Sequence, residues 1–188
     1  MKQKKFYTLW DVEDSPNIYF FAVQFNKNPD DENSILKFIE TNRLCISEKL
    51  GTLFAKHIDN SFSVETWHRK FRLVPKFIKA KNREKYIIVK DYLSKKTKFV
   101  SFIRHFKLSA NDFSHFINAF IDYPMKCRYQ DIFCFSKNNN VTIIISHHAD
   151  IWFVSNQKEY LYSLYCVFQN EFDYVIPGDN FKKYIQDN

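Results

Sequence analysis

Only two glycines, Gly51 and Gly178, stand in a chain of 188 residues that also holds 21 Phe, 11 Tyr and 5 Pro. Glycine supplies the permissive backbone of flexible connections, whereas aromatic side chains bury the largest apolar areas. A chain so poor in the first and so rich in the second reads as a packed globule and not as a disordered or linker-rich protein. Its length suits one domain that buries roughly 70% of its unfolded surface. The expected fold class is α+β, a single domain over 1–188 with a mixed or antiparallel sheet and a C-terminal β-meander packed on helices.

The same scarcity restricts chemistry. G-x-S-x-G, the phosphate-binding P-loop and G-x-G-x-x-G cannot be written anywhere with two distant glycines, which excludes the common nucleotide-cofactor enzymes. A metal-dependent nuclease often carries Asp or Glu two residues before Lys on a strand, and no Asp-x-Lys or Glu-x-Lys occurs. The four cysteines, Cys45, Cys127, Cys134 and Cys166, form no C-x-x-C pair, so they read as reduced and mostly buried thiols of a cytoplasmic protein. The basic start Met1-Lys2-Gln3-Lys4-Lys5 resembles a signal peptide, but Trp10-Asp11-Val12-Glu13-Asp14 interrupts any apolar stretch behind it. No apolar run is long enough for a bilayer, so no membrane partner is expected.

Apolar patterning predicts the elements. Tyr19 to Phe25 reads as a strand between turns, with Phe6 to Val12 as a candidate hairpin partner. Asp30-Asp31-Glu32 suits a helix N-terminus, and Ile35, Phe38, Ile39, Ile46, Leu50, Leu53 and Phe54 continue at helical spacing to about His57, as one helix or two with a break near Thr41-Asn42. Ser61 to Val74 reads as a strand or strand pair, and Lys85 to Leu93 as a strand or a helix. Phe99, Phe102, Ile103 and Phe106 predict a helix over Thr97 to Phe106. Ser109 is a good N-cap for a second one, with Phe113, Phe116, Ile117, Phe120 and Ile121 on one face and Pro124 as its stop. Tyr129 to Phe135, the Asn138-Asn139-Asn140 turn and Val141 to Ser146 form a hairpin signal, and Ile151 to Val154 a third strand. Ser155 or Asn156 then caps a last helix through Leu161, Leu164, Tyr165 and Phe168.

Among the six histidines, His57, His68, His105, His115, His147 and His148, one cluster stands out, Ser146-His147-His148-Ala149-Asp150. A His with a carboxylate makes an acid–base pair or two metal ligands. Neighbouring residues of a strand point to opposite faces, so the two imidazoles converge only if the segment is a loop. The cluster reads as a polar turn with diverging rings. No catalytic residue, metal or cofactor is expected. A His-dependent hydrolase built on His147 or His148 is the enzymatic alternative.

Charge is concentrated at the centre: residues 61–110 carry 14 Lys and Arg against 3 Asp and Glu, which exceeds the whole chain's +7. A field of one sign attracts polyanions or an acidic protein face. Aromatics interleave with this charge, and the candidate partner-binding residues are Trp67, Arg69, Lys70, Arg72, Lys76, Lys79, Lys81, Arg83, Lys85, Lys95, Lys96 and Lys98. Basic side chains neutralise phosphates and aromatics stack on bases, so a single-stranded DNA or RNA binder is one reading. A solvated basic rim around a core of aromatics is another, and a protein with an acidic face a third. Tyr160, Tyr162, Tyr165 and Trp152 are further candidate interface anchors.

In its aromatic-rich α+β plan and its ending of Asp131-Ile132-Phe133, Val141-Thr142-Ile143-Ile144 and Asp150-Ile151-Trp152-Phe153 before a helix, the chain resembles the small cytoplasmic immunity proteins that bacteria pair with contact-dependent and other polymorphic toxins. The resemblance implies a non-catalytic protein that binds and neutralises a cognate toxin. Immunity proteins against basic nuclease toxins are generally acidic, so a +11 segment implies a toxin with an acidic face or a contact through other surfaces. A nucleic-acid-binding regulator from a phage or mobile element is the alternative function.

Overall fold

The computed structural model describes residues 15–28, 30–58, 61–66, 91–92, 94–95, 105–125, 131–136 and 141–187. Among the described residues seven strands form one sheet: β1 (Tyr19–Gln24), β2 (Ser61–Thr66), β3 (His105–Ser109), β4 (Ile132–Ser136), β5 (Val141–Ile145), β6 (Ile151–Ser155) and β7 (Tyr174–Pro177). Their order is β3-β2-β4-β5-β6-β1-β7, and each neighbouring pair is antiparallel. Four helices accompany them, α1 (Glu32–His57), α2 (Phe113–Phe120), α3 (Lys158–Gln169) and α4 (Asp179–Gln186). The α+β plan and the β4-β5-β6 meander match the sequence reading.

The strands of the meander read as nearly continuous apolar runs because both faces of the sheet are buried. Phe21, Val23, Val64, Leu108, Cys134, Ile143, Ile151 and Phe153 join the helices in one core. The alternate residues Phe133, Phe135, Ile144 and Val154 pack with Ile18 on the other face, and Phe20 and Trp152 stack against them with ring centroids 4.6 Å apart. With two-residue periodicity and both faces covered, the usual polar-out alternation disappears.

Helix α1 is unbroken, the first of the two readings the spacing allowed, and no break falls at Thr41-Asn42. There Thr41 Oγ1 and Asn42 Nδ2 donate back to the carbonyls of Lys37 and Phe38 and leave the helical ladder intact. Asp31 caps the helix by accepting the Ser34 N–H at 3.1 Å, and Ser34 holds its carboxyl below the ordinary value. α1 lies along α2. At the crossing, a side chain on Gly51 would come 2.7 Å from Ser114 Cβ, so the absence of one lets the backbones approach. Arg43 ties the same pair, donating to the Asn118 carbonyl at 2.6 Å and to the buried Asp122 carboxylate at 2.5 Å. Phe54 sits at the centre, edge-on to Phe113 at 4.2 Å and packed on Phe153 and Phe168.

Several expectations change. Phe106 belongs to strand β3 and not to a helix, because His105–Ser109 pairs with β2; residues 97–104 of that expected helix lie outside the described residues. Ser109 ends β3 and precedes a 3-10 turn, Ala110–Asp112, donating to Asp112 Oδ2 and not capping a backbone N–H. The stripe Phe113, Phe116, Ile117, Phe120 and Ile121 is fully buried as expected. α2 ends at Phe120, ahead of Pro124. α3 is not the last element, since β7 and α4 follow. Its N-cap is Gln157, whose N–H is accepted by Ser155 Oγ. β1 pairs with β6 and β7, and its other candidate partner, Phe6 to Val12, lies outside the described residues.

Candidate functional site

Of the twelve candidate partner-binding residues, only Lys95 is described; Trp67, Arg69, Lys70, Arg72, Lys76, Lys79, Lys81, Arg83, Lys85, Lys96 and Lys98 lie outside the described residues. Lys95 is exposed beside a short helical stretch that includes Asp91, Tyr92 and Ser94. Tyr92 fastens this end of the basic segment to the core, its ring 6.2 Å from Phe116 and 5.9 Å from Phe120 on α2. Burial, reinforced by the Asp112 carboxylate, pushes the Tyr92 hydroxyl well above its ordinary value, so it stays protonated.

Between this stretch and α2 lies an open cleft of about 360 Å³, lined by Asp91, Tyr92, Lys95, Asp112, His115, Asn118 and Ala119. Its chemistry is mixed, with two carboxylates beside a lysine, an imidazole and an amide. Apart from Lys95, the sequence reading singled out none of these as site residues. The signal was present in α2, where His115 and Asn118 fall on the side opposite the Phe stripe.

A second constellation forms at the β5–β6 turn. Ser146 N–H donates to the Asp150 carbonyl and Ala149 N–H to the Ser146 carbonyl, both at 3.0 Å, and Ala149 has φ +61°. This is a three-residue hairpin loop with a left-handed third residue, a position glycine usually fills. The expected polar turn is therefore present, but the expected divergence of its imidazoles is not. The His147 and His148 rings lie 4.1 Å apart with 40° between their planes, because the loop has left the alternation of the strands. His147 is held from outside the turn: both its backbone N–H, at 2.9 Å, and Nδ1, at 2.8 Å, meet Asp131 Oδ1.

Asp150 closes the turn from below. Burial pushes its carboxyl above the ordinary value, against the opposing effects of Trp152, Ser146 and His148. Its Oδ1 and Trp152 Nε1 are buried without a hydrogen bond of ordinary geometry. A cavity of about 10 Å³, room for one water, adjoins it among Gln24, Phe25, Asn26, Ile35, His148 and Ala149. Asp131 was legible in hindsight: the register Ile132↔Ile145 carries it across from Ser146.

The candidate aromatic anchors are mostly committed inside the fold. Tyr165 is buried against Phe21 and Phe181, Tyr160 donates to the His57 carbonyl at 2.8 Å, Tyr162 packs edge-on to Tyr184, and Trp152 stacks on Phe20. Among the described cysteines, all free, Cys134 is buried, Cys166 half-buried and Cys45 exposed. Among the described residues no group of three or more His, Cys, Asp or Glu is placed to hold a metal, and no helix is long and apolar enough to cross a membrane. No protein-family model matches the chain, and no curated protein or solved structure proves similar to it.

Proposed function

We propose that the chain is a non-catalytic binding protein of the immunity type, which neutralises a cognate toxin by covering its active surface. The observation that carries this reading is the mixed-sign cleft where the basic segment meets α2. A phosphate backbone laid into it would meet Asp91 and Asp112 beside Lys95, and like charges brought together weaken binding. A protein face complements both signs at once. The +11 of residues 61–110 then steers the encounter with an acidic partner, and the cleft supplies orientation.

The test is co-expression with any toxin domain found encoded beside this chain's gene. Protection of growth, and a complex that survives purification, are the expected results. Unprotected growth with no complex overturns the reading. Labelled single-stranded DNA, duplex DNA and RNA, titrated at 50 mM salt, separate the nucleic-acid alternative. Micromolar binding that drops by roughly 10³ between 50 and 200 mM salt would favour that alternative.

A further inference from the structure

The binding role leaves the β5–β6 turn unused, although it gathers two imidazoles and a buried carboxyl within residues 147–150, one short loop and its edge. Two imidazoles lie 4.1 Å apart at its tip. The described groups that face them come from every neighbouring element: Asp131 ahead of β4, Ser146 after β5, Asp150 and Trp152 at β6, Gln24 and Asn26 at the end of β1, and the apolar Ile35 of α1. Among these described groups the possible counter-charges are therefore two carboxyls. They are not equivalent. Asp131 touches His147 at 2.8 Å, whereas Asp150 is buried and its Oδ1 has no hydrogen bond.

The two rings are placed unequally towards charge. A positive charge on His147 stands in contact with Asp131. A second charge on His148 stands against the first at ring-contact distance, where like charges oppose each other. Asp150 offsets it poorly, because burial favours its neutral form as pH falls. The turn's own restraints are slight: two backbone bonds, the bond from His148 N–H to Ser146 Oγ at 3.0 Å, and a left-handed alanine that carries strain.

We propose that this turn is a proton-operated switch, in which charging both imidazoles drives the His148 ring away from His147 and opens the turn while the sheet stays folded. Repulsion needs a charge on both rings, so opening follows the second of the two protons. Removing the Asp131 charge makes a proton on His147 less favourable, so the doubly charged pair, and with it opening, comes at lower pH. Removing the second imidazole leaves nothing to repel.

The experiment is NMR of the full chain from pH 8 to pH 5, reading the His147–His148 ring contact and amide exchange. Expected for the wild type is loss of the ring contact and an at least tenfold lower protection factor at His148 and Ala149, with Ile143 and Phe153 still protected. Asp131→Asn should open about one pH unit lower, and His148→Asn should stay closed to pH 5. A ring contact that persists to pH 5 while both imidazoles titrate overturns the switch. Simultaneous loss of protection at Ile143 and Phe153 also overturns it, since that is unfolding of the sheet.

Discussion

The core beneath α1, α2 and α3 and the turn between β5 and β6 lie on the same sheet and are held by opposite means. In the core, Phe54, Phe113, Phe116, Phe153 and Phe168 touch one another in edge-on and tilted pairs, and each is fully buried. Removing one ring leaves many contacts but opens a void that the rest cannot fill. In the turn, a few polar bonds and one carboxylate hold two bases over a buried acid. Aromatic packing is insensitive to protons and polar closure is not, so stability belongs to the first region and responsiveness to the second.

The sharpest contrast comes from Phe54→Ala. It should lose about 3–5 kcal/mol, read as a denaturation midpoint, with the same loss at pH 5 and pH 8. A loss below 1 kcal/mol would mean that the core is not the keystone it is taken for. Gly51→Ala follows. It gains about 1 kcal/mol of helix propensity, but its Cβ meets Ser114, and overpacking against a fixed Cβ costs about 1–3 kcal/mol. A net loss of about 1 kcal/mol is expected.

Asp150→Asn should behave the other way. The folded-state value of Asp150 is raised, so its favourable contribution is complete below the ordinary 3.8 and is lost as pH rises through the folded value. The Asn variant lacks that loss. It should be about 1 kcal/mol more stable than the wild type at pH 8, with the advantage gone near pH 3.5. Equal curves for both proteins across that range would show that the buried acid carries no strain. The smallest effect is expected for Ala149→Gly. Relief of about 1 kcal/mol of left-handed strain is about half offset by glycine's added chain entropy, for a net gain of about 0.5 kcal/mol in thermal unfolding.

The meander and the stripes of α1 and α2 were legible because local periodicity and burial agree there: Ile35, Ile39, Ile46 and Leu50 recur at helical spacing and are buried. β3 was misread because Phe106 fits two periods, ending a helical stripe from Phe99 while alternating through Lys107 to Leu108. Pairing with β2, a long-range choice, decides between them. β7 and α4 escaped because a four-residue strand and an eight-residue helix carry little pattern of their own and depend on tertiary packing, here Phe181 against Tyr19 and Tyr165. The turn was recognised and its carboxylate partner was not, since Asp131 reaches His147 only through the β4–β5 register. The basic candidates were chosen for charge, and all but Lys95 lie outside the described residues.

The central claim is that a basic segment steers this chain onto an acidic protein face. It is tested most directly by the association rate with the proposed partner, any toxin domain found encoded beside it, measured by stopped flow at 50 and 500 mM salt. Steering predicts a rate that falls at least about tenfold over that range, because exposed charges are screened within about 10 Å or less. The slowing should be partly reproduced at low salt by Lys95→Glu. An association rate unchanged by salt would contradict the account.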